Sequence, residues 1–168
     1  MWLLALIPFS LQGLAIGFDE IYFHWKRGLP RWERIGHPLD TFSLLVCLLF
    51  TLYVPFTDLS MKVYIGLAVL SCIMVTKDEF VHKEHCPATE NWLHACLFIL
   101  HPITLIVAGL IWPVIQGAAL PVWILSWLDN APALEWFLFS QAILIALFML
   151  YQIIFWNFIW KDEPVLKF

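Results

Sequence analysis

Carboxylates and imidazoles recur in this chain at helical spacing, and that combination is the raw material of a metal site. Glu20 and His24 are four residues apart, as are Glu33 and His37, Asp78 and His82, and Glu90 and His94. Glu79 and His82 are three apart, His82 and His85 three, and His94 and His101 seven. Residues at these separations share one face of a helix, so each pair can chelate an ion without backbone strain, as in helical bundle metal sites. All six histidines belong to this set.

The elements that must position these groups are apolar. The chain of 168 residues is 62% hydrophobic and 13% charged, with a mean hydropathy of +0.83. A soluble domain is nearer half apolar and a quarter charged. The expected fold is therefore all-α: a polytopic membrane protein with five transmembrane helices. Four of them would form a bundle with a metal site at the cytoplasmic end. The spans are expected from residue 1 to about 24, 38 to 56, 63 to 85, 90 to 116 and 135 to 160, within a single transmembrane domain covering 1–168. Pro38 suits a first helical turn, and Thr89 is a candidate cap. Residues 25–36 read as a charged loop, 57–62 as a short turn and 117–134 as an interfacial segment. Gly13 and Gly17 form a small-xxx-small pattern that permits close helix approach. The tryptophans, Trp25 and Trp156 among them, read as an aromatic belt.

Five spans place Lys26, Arg27, Arg31, Arg34, Lys77, Lys83, Lys161 and Lys167 on one side and only Lys62 on the other. The positive-inside rule then puts the N-terminus outside and the C-terminus in the cytoplasm, with a bacterial inner membrane as the expected location. The net charge of −4 and the lack of a basic patch give no nucleic-acid signal. No basic n-region or small-residue cleavage site marks a signal peptide, so the first helix reads as retained. Cys47, Cys72, Cys86 and Cys96 have no paired spacing; no disulfide is expected, and Cys86 is a marginal ligand candidate.

The halves repeat. Each has Asp-Glu, a histidine three or four residues beyond the glutamate, a short basic loop, and Glu-x-x-x-His at the next helix. Residues 1–56 and 63–116 would be two hairpins presenting four carboxylate–histidine pairs to one centre. The candidate ligands are Glu20, His24, Glu33, His37, Asp78, Glu79, His82, His85, Glu90, His94 and His101. Glu20, Glu79 and Glu90 would be bridging or terminal carboxylates, and His85 and His101 extra or supporting groups. Asp19, Glu33 and Glu84 also read as charges meeting lipid headgroups, as do Lys26, Arg27, Arg31 and Arg34. The ligand count suits two transition-metal ions. Mixed oxygen and imidazole donors suit iron first, then zinc or manganese, and disfavour copper(I).

The pattern Asp19-Glu20-x-x-x-His24, Glu33-x-x-x-His37, Asp78-Glu79-x-x-His82, Glu90-x-x-x-His94 resembles that of small bacterial integral membrane proteins with no assigned activity. That resemblance covers about the first four spans and implies a metal-binding bundle. In its logic the arrangement is similar to ferritin-like di-iron bundles, which use Glu-x-x-His where this chain has four-residue spacing. Glu20, His24 and His37 also resemble the Asp-x3-His-x12-His metal motif in a membrane component of particulate methane monooxygenase, with Glu in place of Asp. The histidine boxes of membrane desaturases are absent. The leading expectation is a di-iron oxidoreductase acting on a lipophilic substrate, a quinone for example, or on oxygen. A zinc-dependent membrane hydrolase, a metal transporter and a non-enzymatic metal-binding subunit of a larger complex are the alternatives. The fifth span, which lacks motif residues, would be the surface facing such partners.

Overall fold

The computed structural model of the chain describes residues 1–77 and 86–160. Five of its helices are long and apolar enough to cross a membrane: α1 (Trp2–Arg27), α2 (Arg31–Tyr53), α3 (Asp58–Thr76), α4 (Ala88–Ile115) and α6 (Ala131–Ile159). A short helix, α5 (Val122–Trp127), lies within the segment between the last two. No strand occurs among the described residues.

The helix ends follow local chemistry and correct several expected boundaries. Gly28, at φ 71°, ends α1, a conformation that glycine adopts without penalty. Extended Pro30 then caps α2. The connection is therefore three residues long rather than twelve, and Pro38 lies well inside α2 instead of opening it. Thr57 accepts from the Ser60 N–H, and the Ser60 hydroxyl accepts from the Thr57 N–H. This capping box starts α3 at Asp58, five residues ahead of the expected Val63. Pro87 occupies the cap of α4 where Thr89 was expected. Asn130 caps α6 through the Ala133 N–H, so that span begins at Ala131.

All five long helices pack together. α2 packs against α3, α4 and α6, and α4 against α1, α3 and α6. One apolar core joins Phe9, Leu48, Ile111, Leu134 and Leu138; a second joins Leu44, Cys47, Tyr64, Leu105 and Trp112. The buried aromatic heads are paired with backbone. Tyr64 donates to the Leu105 carbonyl at 2.6 Å and Trp112 to the Val54 carbonyl at 2.8 Å. Left unpaired in hydrocarbon, each such group would cost several kcal/mol. The close helix approach is at Gly109, where an added Cβ would lie 2.9 Å from the Tyr64 ring. Gly13 and Gly17 meet nothing within 4 Å, so the small-xxx-small pair is not a packing contact here. Large apolar side chains such as Leu14, Leu70, Ile106 and Leu147 stay exposed along the spans. Water would penalise so much exposed apolar surface on helices of this length, and lipid would not; the chain is an integral membrane protein.

Candidate metal centre

The end of α1 and the starts of α2 and α4 meet at one end of the bundle. The last part of α1 makes this meeting work. Asp19–His24 is a π-helical turn, and Asp19, Glu20, Phe23 and His24 are all buried. The wider turn brings both acids of the Asp-Glu pair inward; π turns are uncommon and frequent at functional sites.

Two overlapping groups of ligand atoms result. Asp19, His24, Glu90 and His94 form one, His24, Glu33 and His37 the other, each within 4.8 Å. In the first, Asp19 Oδ2 lies 3.1 Å from His24 Nε2 and 3.3 Å from His94 Nε2. Glu90 Oε1 is 3.8 Å from His24 Nε2. Ligands bound at about 2.1 Å sit about 3.0 to 3.4 Å apart around one ion. His24 Nε2 has no hydrogen-bond partner despite its short distance to Asp19, and Asp19 Oδ1 has none either. A separation of 3.1 Å suits two ligands of one ion, as it suits an ion pair with a protonated His24. His24 Nδ1 is paired with Glu20 Oε2 at 3.0 Å, which leaves Nε2 as the nitrogen that could coordinate an ion.

Glu20, expected as a ligand, is instead a brace. Its other oxygen, Oε1, accepts from the Tyr151 hydroxyl and from Trp156 Nε1, both at 2.7 Å. Trp25 Nε1 donates to the Tyr151 hydroxyl in turn. The chain Trp25–Tyr151–Glu20–His24 is the carboxylate–histidine support that fixes tautomer and ring orientation in metal sites. Trp156, expected in an aromatic belt, is instead fully buried at the site, while Trp25 stays about half exposed. The fifth span, which has no motif residue, supplies two of the braces.

Arg27, expected at the headgroups, is also inside. Its Nη2 donates to Glu90 Oε1 at 2.7 Å and to Glu33 Oε2 at 2.8 Å, and its Nε reaches Glu90 Oε1 at 3.1 Å. Glu33 and Glu90 are fully buried. Asp19 and Glu33, for which a headgroup role stood open, are thus interior groups. Among the described residues, Asp19, Glu20, Glu33 and Glu90 are four buried acids against one buried guanidinium. A buried surplus of negative charge requires protons or cations.

His37 lies with its ring centroid 4.9 Å from that of His24. His101 is not in either ligand group. Its two nitrogens meet Gln12 Nε2 and Ser71 Oγ, each at 2.9 Å. Asp78, Glu79, His82, Glu84 and His85 lie outside the described residues. Cys86 belongs to neither ligand group, and burial pushes its thiol well above the ordinary range; all four cysteines are free. A cavity of about 120 Å³ opens beside the centre, lined by Asp19, His24, His37 and His94 at one end and Gln12 and His101 elsewhere.

The chain matches no family model, no curated protein and no solved structure.

Proposed function

We propose that the protein is a membrane-embedded metalloprotein that holds an iron ion on Asp19, His24 and His94 and performs oxidoreductase chemistry on a lipophilic substrate or on oxygen. The observation that carries this reading is the Asp19 carboxylate set 3.1 and 3.3 Å from two Nε2 atoms, one of them without a hydrogen-bond partner. Two histidines and one carboxylate with open positions are the donor set of non-haem iron sites. Bound there, the metal would supply redox chemistry. The residues around it orient His24 through Glu20, hold Glu33 and Glu90 together on Arg27, and offer a cavity with apolar walls. His24 belongs to both ligand groups and has one nitrogen left after Glu20, so the described residues serve one ion. A second ion, as the repeat in the sequence suggests, would draw on Asp78, Glu79, His82 and His85.

A zinc hydrolase is the second reading, since three protein ligands and an open position also suit catalytic zinc. It needs a carboxylate available as base beside the bound water. Glu20 is engaged by His24, Tyr151 and Trp156, and Glu90 by Arg27, which ranks this reading lower. Elemental analysis with electron paramagnetic resonance decides. Iron near one per chain, with a signal that changes between dithionite-reduced and air-oxidised protein and is lost in His94→Ala, is the expected result. Stoichiometric zinc in a colourless protein would overturn the redox assignment in favour of hydrolysis.

A further inference from the structure

The cavity beside the metal centre has a second polar end. Gln12 is 4% exposed and lines the cavity, and its buried Oε1 has no hydrogen-bond partner. Its Nε2 is held by His101 Nδ1 at 2.9 Å. His101 is fixed in turn by Ser71 at 2.9 Å, and Ser71 by Ser43 at 2.8 Å. The amide is therefore clamped by a line of neutral groups with one polar atom left over. An unpaired amide oxygen in such a place costs about 1–3 kcal/mol, so the position is built for a donor that the described protein atoms do not provide.

We propose that this cavity is a binding site for the hydroxylated ring of a phenol or quinol, with its hydroxyl on Gln12 and its ring against Phe98 and Phe148. Three observations choose that class. The volume of about 120 Å³ approaches that of the cavity, about 150 Å³, that takes up a single benzene ring. The lining includes Leu44, Leu97, Phe98, Ile145 and Phe148, apolar walls that suit a ring. A hydroxyl both donates and accepts, so it satisfies the amide in either orientation. His101 lies two turns from His94 on α4, about 10 Å along the helix axis, and both line this cavity, so a ring seated at Gln12 shares it with Asp19 and His94. This deepens the oxidoreductase reading and rests on it for the ligand's purpose, though not for its binding.

The test uses full-length protein in lipid nanodiscs and three single-ring probes of comparable size: phenol, anisole and toluene. Binding is followed by tryptophan fluorescence and by ligand-observed NMR, in untreated protein and after chelator treatment. The phenol is expected to bind at least about tenfold more tightly than the other two, the equivalent of one hydrogen bond. Gln12→Met should bring the phenol-to-anisole ratio to about one, and Ser71→Ala should weaken phenol more than toluene. The comparison of the three probes on unaltered protein stands even where a variant folds poorly. Equal binding of phenol and anisole, or no binding of any probe, would overturn the proposal. A phenol preference that persists in chelated or metal-free protein supports this site even should the metal reading fail; normal metal content without the preference sinks this site alone.

Discussion

At the scale of single residues, the centre separates atoms aimed at a common point from atoms that hold them there. Asp19 and His94 belong to the first kind, and His24 to both, because its two nitrogens face different ways. Asp19→Asn keeps the side chain's size but removes the charge; it should lower bound metal from about one per chain to less than a tenth, read by mass spectrometry of the purified protein. Glu20→Gln should keep the ion but weaken it by about 10- to 100-fold, as expected when the carboxylate behind a ligating histidine is lost. Tyr151→Phe removes one of two donors to the same oxygen and should fall between Glu20→Gln and the unaltered protein in a competition titration with a chelator. Equal affinity in all three would mean that Glu20 does not orient His24. Arg27 acts differently. Replacing it with methionine leaves Glu33 and Glu90 buried without their cation, a loss of about 3–5 kcal/mol in comparable buried pairs. The variant should unfold at clearly lower temperature in detergent, whether or not metal is added.

At the scale of helices, spacing makes part of this legible. A carboxylate and a histidine four apart on α2 and on α4 are side by side in the fold, as the sequence says. Spacing says nothing about which of two adjacent acids faces the centre. The π turn at Asp19–His24 decides that, aiming Asp19 at the centre and setting Glu20 behind His24; apolar periodicity does not encode it. Nor does any local rule link Glu20 to Tyr151 and Trp156, which are 131 and 136 positions away. Trp156 lies in a second π turn, Phe155–Ile159, so two irregular turns on α1 and α6 meet at one carboxylate. Sequence reasoning misplaces Arg27 for a similar reason: a basic residue at a span end satisfies the positive-inside pattern whether it points at lipid or inward. Helix contact is legible only in kind. A small residue does sit at a tight crossing, but it is Gly109 against Tyr64, not Gly13 or Gly17. Gly109→Ala should therefore destabilise the protein by about 1–3 kcal/mol through overpacking, while Gly13→Ala, with open space around it, should be neutral in the same thermal unfolding assay.

At the scale of the whole molecule, composition alone carries the architecture. Five apolar stretches could only be satisfied as helices, because hydrocarbon leaves backbone groups no other partner. The boundaries are less legible, since Gly28, Pro30 and the Thr57–Ser60 box set them one or two turns from where hydropathy falls off. The bundle keeps its buried charge at one end, beside the Gly28–Pro30 connection, and its larger apolar core among Phe9, Leu48, Ile111 and Leu138. From the distribution of lysine and arginine we propose that the charged end faces the cytoplasm. In a background with the four cysteines replaced by alanine, Arg31→Cys should react with a membrane-impermeant maleimide only in inside-out vesicles, and Leu59→Cys only in right-side-out ones. The reverse pattern would place the centre at the outer leaflet.

The most direct measurement is the metal content of protein purified from membranes, taken for the unaltered chain beside Asp19→Asn and His94→Ala. About one transition-metal ion per chain is expected in the first and less than a tenth in the others, with anomalous scattering locating the ion between Asp19, His24 and His94. A metal-free protein that takes up no ion on titration, or variants that hold as much metal as the unaltered chain, would contradict the account.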